Sequence, residues 1–475
     1  MLTLILIILP LLSGLAMLFT GTSAAKTVAL GSSFLTLGIA LFGLLVPGTE
    51  LVMNAPWIEL LGARFALSME PGLTRLMVLL TVLVYPLLFL AYQKRSVDRP
   101  ALFYGLLSLS QVGLLGVFMA QDALLFYLFW EVALIPVYFL SSMYGGERRI
   151  PVSFKFFVYT FVGSLIMLVG MIIIYRHSSL RSFAWQDFIM AGREFSAPEQ
   201  QGLFWLLFLA FAIKMPIFPF HTWQPDAYEQ SATPVTVVLS ALMVKMGLFA
   251  VLVWLIPVLP EGSAFWQHLV MVLAVIGIIY ASCMALVQNN IKRVVAYSSI
   301  AHIGLMAAAI FSMGGLATQG AMLQMFNHGI TILGMWLLIS MIEDRTGSQD
   351  MRSLGGIAKS APQFTIALVV IAFANIALPL TNGFPGEFMM LTGMFSSGAP
   401  YAQWLTTVAG LAVILSAAYT LWMVQKVAFG EANATTASFR DLNVVELISL
   451  SAIILMILAF GIFPNVLLNW IPQSI

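Results

Sequence analysis

The stretch "AFAIKMPIFPFHTWQPDAYEQ" runs from Ala210 to Gln230 and decides the fold. It continues an apolar run long enough for a membrane helix, yet it holds Pro216, Pro219 and Pro225. Proline removes an amide donor and clashes with the preceding turn. Open backbone at membrane depth is tolerated only inside protein or beside a water-filled cavity. Lys214 stands just before the first proline. Taken alone, such a span is equally an ordinary helix kinked by proline or part of a transport pathway; a second matched break with nearby charges favours the pathway.

Composition fixes the surrounding medium. The chain has 475 residues, 61% hydrophobic and 9% charged. A soluble domain carries about 25% charged residues. This chain cannot cover itself with polar surface, so it belongs in a bilayer. Its net charge is +1, without a basic tract that would suggest nucleic acid. Cys283 is the single cysteine, too few for an internal disulfide or an iron–sulfur cluster. Neither a GxGxxG loop nor a Walker A lysine is present, so a nucleotide site has no support. The opening "MLTLILIILPLLSGLAMLF" lacks a basic leader and reads as a first span.

A spanning helix needs about 20 mostly apolar residues. Fourteen candidates follow: 1–20, 28–47, 73–93, 101–120, 123–143, 152–175, 202–229, 232–257, 264–287, 293–314, 318–342, 362–396, 402–428 and 443–470. The polar insertion 176–201 reads as a loop with a short membrane-surface helix. Loops after odd-numbered spans hold most of the basic residues, among them Lys94, Arg95, Arg99, Arg148, Arg149, Lys292 and Arg293. The positive-inside rule then puts both termini on the non-cytoplasmic side.

A second long candidate is also interrupted. "IALPLTNGFPGEFMM" carries Pro379, Gly383, Pro385 and Gly386. The two broken spans, seventh and twelfth, lie five apart, the pattern expected of inverted five-helix repeats. The expected organisation is 1–100 for spans 1–3, 101–260 for the first repeat, 261–430 for the second and 431–475 for the last span. The fold class is an all-α polytopic membrane protein.

Few ionisable groups remain at depth. Glu131 lies eight residues into span 5, about 12 Å along the helix. Lys214 precedes the first break, Lys245 lies midway along span 8, and Glu387 follows the second break. His302 and His328 lie in spans 10 and 11, and His221 in "PFHTW". Intramembrane charges mark ion pathways and proton relays by default. A structural ion pair is the plainer reading of Glu131 with a lysine, but buried pairs are poor stabilisers. A membrane histidine serves equally as a hydrogen-bonding group between helices. Burial disfavours a charged lysine and a nearby carboxylate favours it, so moving the carboxylate would release a proton. Histidine can accept it.

"NNIKRVVAYSSIAHIGLM" (Asn289–Met306) resembles the most distinctive stretch of the antiporter-like subunits of respiratory complex I. "LLFYLFWEVALIPVYFL" resembles their fifth span, and "FAIKMPIFPFHTWQPDAYEQSATPVTVVLSALMVKMGLFAV" their seventh and eighth. The resemblance runs in order over about residues 70–430 and the layout has fourteen spans. Glu387 in "NGFPGEFMM", where sister subunits carry lysine, makes the chain similar to the M-type members. The resemblance implies proton translocation through Glu131, Lys214, Lys245, His302, His328 and Glu387. It implies no cofactor on this chain, with NADH, FMN, iron–sulfur clusters and quinone on partner subunits. It implies a bacterial inner membrane and, as partners, the lipid bilayer and other complex I membrane subunits, including neighbouring antiporter-like ones. A sodium–proton antiporter subunit of the Mrp type, or the equivalent subunit of a ferredoxin- or hydrogenase-linked complex, remains the alternative.

Overall fold

The computed structural model describes residues 1–19, 22–398 and 401–471. Residue 20, the last of the first expected span, lies outside them. Seventeen helices position the site. They are α1 (Leu2–Met17), α2 (Thr22–Leu45), α3 (Gly72–Tyr92), α4 (Pro100–Met119), α5 (Ala123–Met143), α6 (Arg149–His177), α7 (Trp185–Arg193), α8 (Ala197–Lys214) and α9 (Gln224–Gln230). The chain continues through α10 (Thr233–Val258), α11 (Pro260–Leu286), α12 (Ile291–Phe311), α13 (Gly315–Thr346), α14 (Pro362–Asn375), α15 (Gly383–Phe395), α16 (Ala402–Ala428) and α17 (Val444–Ile462).

Among the described residues, eleven helices are long and apolar enough to cross a membrane. The segments α1, α8 and α14 are shorter, and the last two end at interruptions. The short helix expected within 176–201 is α7. Residues 47–72 read as a plain loop in the sequence. Here they form a hairpin, β1 (Val52–Ile58) antiparallel to β2 (Ala63–Ser68), with a left-handed glycine at Gly62 in its turn.

Local chemistry fixes the helix starts. Pro100 occupies the first turn of α4, where a missing amide costs nothing. Asp122 caps α5 by accepting from the Leu125 amide at 3.0 Å, and it accepts a second bond from the Arg64 amide at 2.9 Å. Ser196 with Glu199 and Asn443 with Glu446 form capping boxes on α8 and α17.

The interruptions are shorter than the prolines suggested. The first covers residues 215–223, because Pro225 sits in the first turn of α9. The second covers 376–382, because Pro385 and Gly386 lie inside the first turns of α15. Proline in a first turn leaves no hydrogen bond unmade. The helix α10 is unbroken, but it contains two π-helical stretches, Val238–Met243 and Val251–Leu255.

The described residues fall into two compact units. One holds Met1–Met215, Gln230–Val235 and Leu242–Gln267. The other holds Pro216–Glu229, Thr236–Ala241 and His268–Ile475. In the first, α10 closes tightly on α8. A methyl added at Gly247 would stand 2.7 Å from the Phe211 carbonyl oxygen. In the second, α13 packs on α15 through Gly320, where a methyl would stand 2.7 Å from the Met390 nitrogen.

Candidate functional site

Lys214 is the last residue of α8 and is 1% exposed. Its ammonium lies 5.5 Å from the centroid of the Trp130 ring on α5 and 5.9 Å from that of Phe156 on α6. Its Nζ has no hydrogen-bond partner among the described residues. Aromatic faces stabilise a cation without accepting its protons. The C-terminal end of α8 adds the negative end of a helix dipole. Glu131 follows Trp130 and is half-buried. Its carboxylate is in hydrogen-bonding contact with Ser164 on α6 and in Coulombic range of Lys214, while its Oε1 has no hydrogen-bond partner among the described residues. The structure therefore brings Glu131 and Lys214 together as electrostatic neighbours, with aromatic rings at the lysine.

Lys245 is fully buried in α10, between the two π-helical stretches. Gly247, two residues on, permits the close approach to the last turn of α8. Such π-turns carry an extra residue and occur often at functional sites.

The second unit holds the histidines and Glu387. Nδ1 of His302 on α12 lies 3.1 Å from Oε1 of Glu387 on α15. This is ion-pairing distance without an aligned hydrogen bond, since Glu387 Oε1 has none. His302 and His328 on α13 have ring centroids 5.5 Å apart. Two small cavities meet His302, each with room for about one water. One is shared with Glu387, Ser416 and Tyr419, and the other with Gln324, His328 and Asn375. His221 stands apart from this group, with its ring 5.6 Å from Phe218 and 5.1 Å from Tyr280.

Sequence reading missed several participants. Lys292 and Arg293 look like loop cations in the sequence. In the structure Arg293 binds Glu229 at 2.7 Å and Asp226 at 2.9 Å, while Lys292 binds Glu343 at 2.7 Å. Asn290 caps α12 and donates to Glu229 at 3.1 Å. The two acids of "QPDAYEQ" and the basic pair of "NNIKR" stand out singly in the sequence, but nothing there pairs them across 64 residues of chain. Trp130, Phe156 and Tyr419 gave no signal, because aromatic residues are ordinary in membrane spans. Among the described residues no group of three His, Cys, Asp or Glu is placed to hold a metal.

The family described as NADH:quinone oxidoreductase/Mrp antiporter, TM, matches residues 120–416. The chain belongs to this family. Its membership is supported along nearly the whole length. F(420)H(2) dehydrogenase subunit M of Methanosarcina mazei is 33% identical over 98% of this chain and 95% of its own. NADH-quinone oxidoreductase subunit M of Rhodobacter capsulatus is 34% identical over 95% of this chain and 90% of its own. Among solved structures, a chain of respiratory complex I from Thermus thermophilus with bound NADH superposes with a TM-score of 0.90. That chain is 30% identical, with 99% of this chain and 98% of that one covered. The antiporter-like fold of this NADH:quinone oxidoreductase/Mrp family member is the one its resemblance to the antiporter-like subunits implied.

Proposed function

We propose that this chain is a proton-translocating membrane subunit of an NADH:quinone oxidoreductase. The observation that carries the reading is the placement of buried acids, lysines and histidines beside two interrupted helices, in a family member that superposes on a complex I chain. Electron transfer runs on partner chains that hold NADH, FMN, iron–sulfur clusters and quinone. Neighbouring membrane subunits, antiporter-like ones among them, complete the machine in a bacterial inner membrane, with both termini on the non-cytoplasmic side. Residues 101–260 and 261–430 act as the two inverted repeats.

In the first repeat, Glu131 controls the charge on Lys214. A carboxylate nearby favours the ammonium, and weakening that influence releases a proton from Nζ. Lys245 is a further proton-carrying group of the first unit, and in the second His302 and His328 are the relay that serves Glu387. Proton transfer from His302 Nδ1 to Glu387 Oε1 forms the exit acid. The aromatic faces around Lys214 hold the cation without offering it a competing proton acceptor.

The test is proton uptake by inverted membrane vesicles with NADH as donor, with this chain present and deleted. Loss on deletion, restored by the intact chain but not by Glu131→Gln, is the expected result. Unchanged uptake after deletion overturns the reading. A second reading keeps the pump and changes the donor: the Methanosarcina relative is named for an F(420)H(2) dehydrogenase at similar identity. Vesicles that pump with reduced F420 and not with NADH would select it.

A further inference from the structure

The second interruption is bracketed by two buried asparagines. Asn375 ends α14 and Asn382 precedes α15. Between them, Ala377 and Leu380 adopt φ of 54° and 76°, a left-handed conformation costly for residues with a side chain. Such a conformation persists only where its surroundings hold it. On one side the Leu380 carbonyl is packed against Gly461 of α17, where any side chain would collide with it.

Each asparagine is bonded to a histidine-bearing helix. Asn375 Nδ2 donates to the Ser298 hydroxyl at 3.1 Å, and Ser298 lies one turn before His302 on α12. The same hydroxyl accepts from Tyr419 at 3.0 Å. Asn382 exchanges two bonds with Asn327: its Nδ2 donates to the Asn327 carbonyl at 3.0 Å, and Asn327 Nδ2 donates to its carbonyl at 2.6 Å. The Thr331 hydroxyl donates to Asn382 Oδ1 at 3.1 Å. Asn327 and Thr331 flank His328 on α13.

Asparagine at a helix start ordinarily bonds its own first turn. Asn382 occupies that position, yet it makes no cap bond. Its amide is committed to α13 instead. We propose that Asn375 and Asn382 are positioning residues that brace the interrupted span between α12 and α13, and so fix the separation of His302 and Glu387. This rests on the proton-transfer reading above, because fixing that distance matters only if a proton crosses it.

The test compares Thr331→Val, which keeps shape and removes one donor, with Thr331→Ser, which keeps the donor. Asn375→Leu removes the bond to Ser298, and Asn382→Leu removes the two side-chain bonds to Asn327 and Thr331 while keeping the one its carbonyl accepts. Each is read in the assembled complex in membranes, with assembly checked on native gels. The measurements are NADH-driven proton uptake across pH, protons moved per NADH, and the infrared carboxyl band assigned by Glu387→Gln. Small misplacements of reacting groups are costly, so uptake should fall about three- to tenfold in Thr331→Val and Asn375→Leu. The Glu387 band should shift with it, and Thr331→Ser should retain the wild-type band. Assembled Thr331→Val and Asn375→Leu complexes with wild-type pH profile, stoichiometry and band overturn the brace. If Asn382→Leu does not assemble, the Thr331 pair decides. Full pumping by Glu387→Gln would instead remove the underlying proton reading.

Discussion

Nζ of Lys214 lies 5.5 Å from the ring centroid of Trp130, the residue that directly precedes Glu131. One turn of α5 therefore carries two controls on the same ammonium, an aromatic face and a carboxylate. Cation–π contacts are worth about 2 kcal/mol when desolvated. Trp130→Leu should lower NADH-driven proton uptake about tenfold, and Trp130→Phe should fall between it and wild type. Equal uptake in all three would show that the ring only packs.

His302 and Glu387 meet at 3.1 Å and share a cavity. If they pass one proton, removing either should cost about as much as removing both. Glu387→Gln and His302→Gln should each reduce uptake about a hundredfold, the scale of a lost acid–base partner. The double variant should be no slower. Multiplying losses in the double variant would mean that the two residues serve separate steps.

Arg293 answers two carboxylates, Glu229 and Asp226, and is itself partly exposed. Its removal takes a cationic partner from both acids, while Glu229 keeps the bond from Asn290. Arg293→Ala should destabilise the isolated complex by about 1–3 kcal/mol, less than a fully buried pair because solvent screens part of the attraction. Adding Glu229→Gln and Asp226→Asn to Arg293→Ala should recover part of that loss. Thermal unfolding in detergent gives the comparison, and a triple variant weaker than Arg293→Ala would contradict it.

Asp122 lies outside the spans and its carboxyl is pushed up, first by burial. Amide bonds from Arg64 and Leu125 oppose that shift. A carboxyl with a raised value in the folded protein binds its proton more tightly there than in the unfolded chain. Its contribution to stability is present at low pH and is lost as pH rises through the folded value. Wild type should therefore gain on Asp122→Asn as pH falls from neutrality towards the ordinary carboxylate range. Asp122→Ala should lose about 1 kcal/mol of capping at any pH. Unfolding midpoints across pH that stay parallel for wild type and Asp122→Asn would refute the first claim.

Apolar run length and proline placement made the spans and both interruptions legible in the sequence. Boundaries were not, because a proline reads alike inside a break and inside a first turn. Pro225 and Pro385 belong to first turns. The hairpin 52–68 was hidden because its two short strands show no alternation of buried and exposed residues and lie between long apolar helices. Charged site residues stood out against an apolar background. Asn375, Asn382 and Ser298 did not, since small polar residues occur throughout membrane helices and their meaning lies in which helix they bond. The pairing of Arg293 with α9 was equally invisible, being a contact across 64 residues of chain.

The two π-helical stretches in α10 have a consequence for inheritance. A π-turn behaves as a regular helix that has accepted one extra residue. Lys245 sits on the segment between two such stretches, so its facing is offset from both ends of its own helix. A one-codon deletion in either stretch would remove the extra residue and let regular winding resume with both ends still facing as they do, whereas the same deletion in the regular turns between them would rotate one end about 100° against the other. In this span a lost residue is thus better tolerated inside those two stretches than between them, and a helical wheel drawn through all of Thr233–Val258 puts residues on the wrong side.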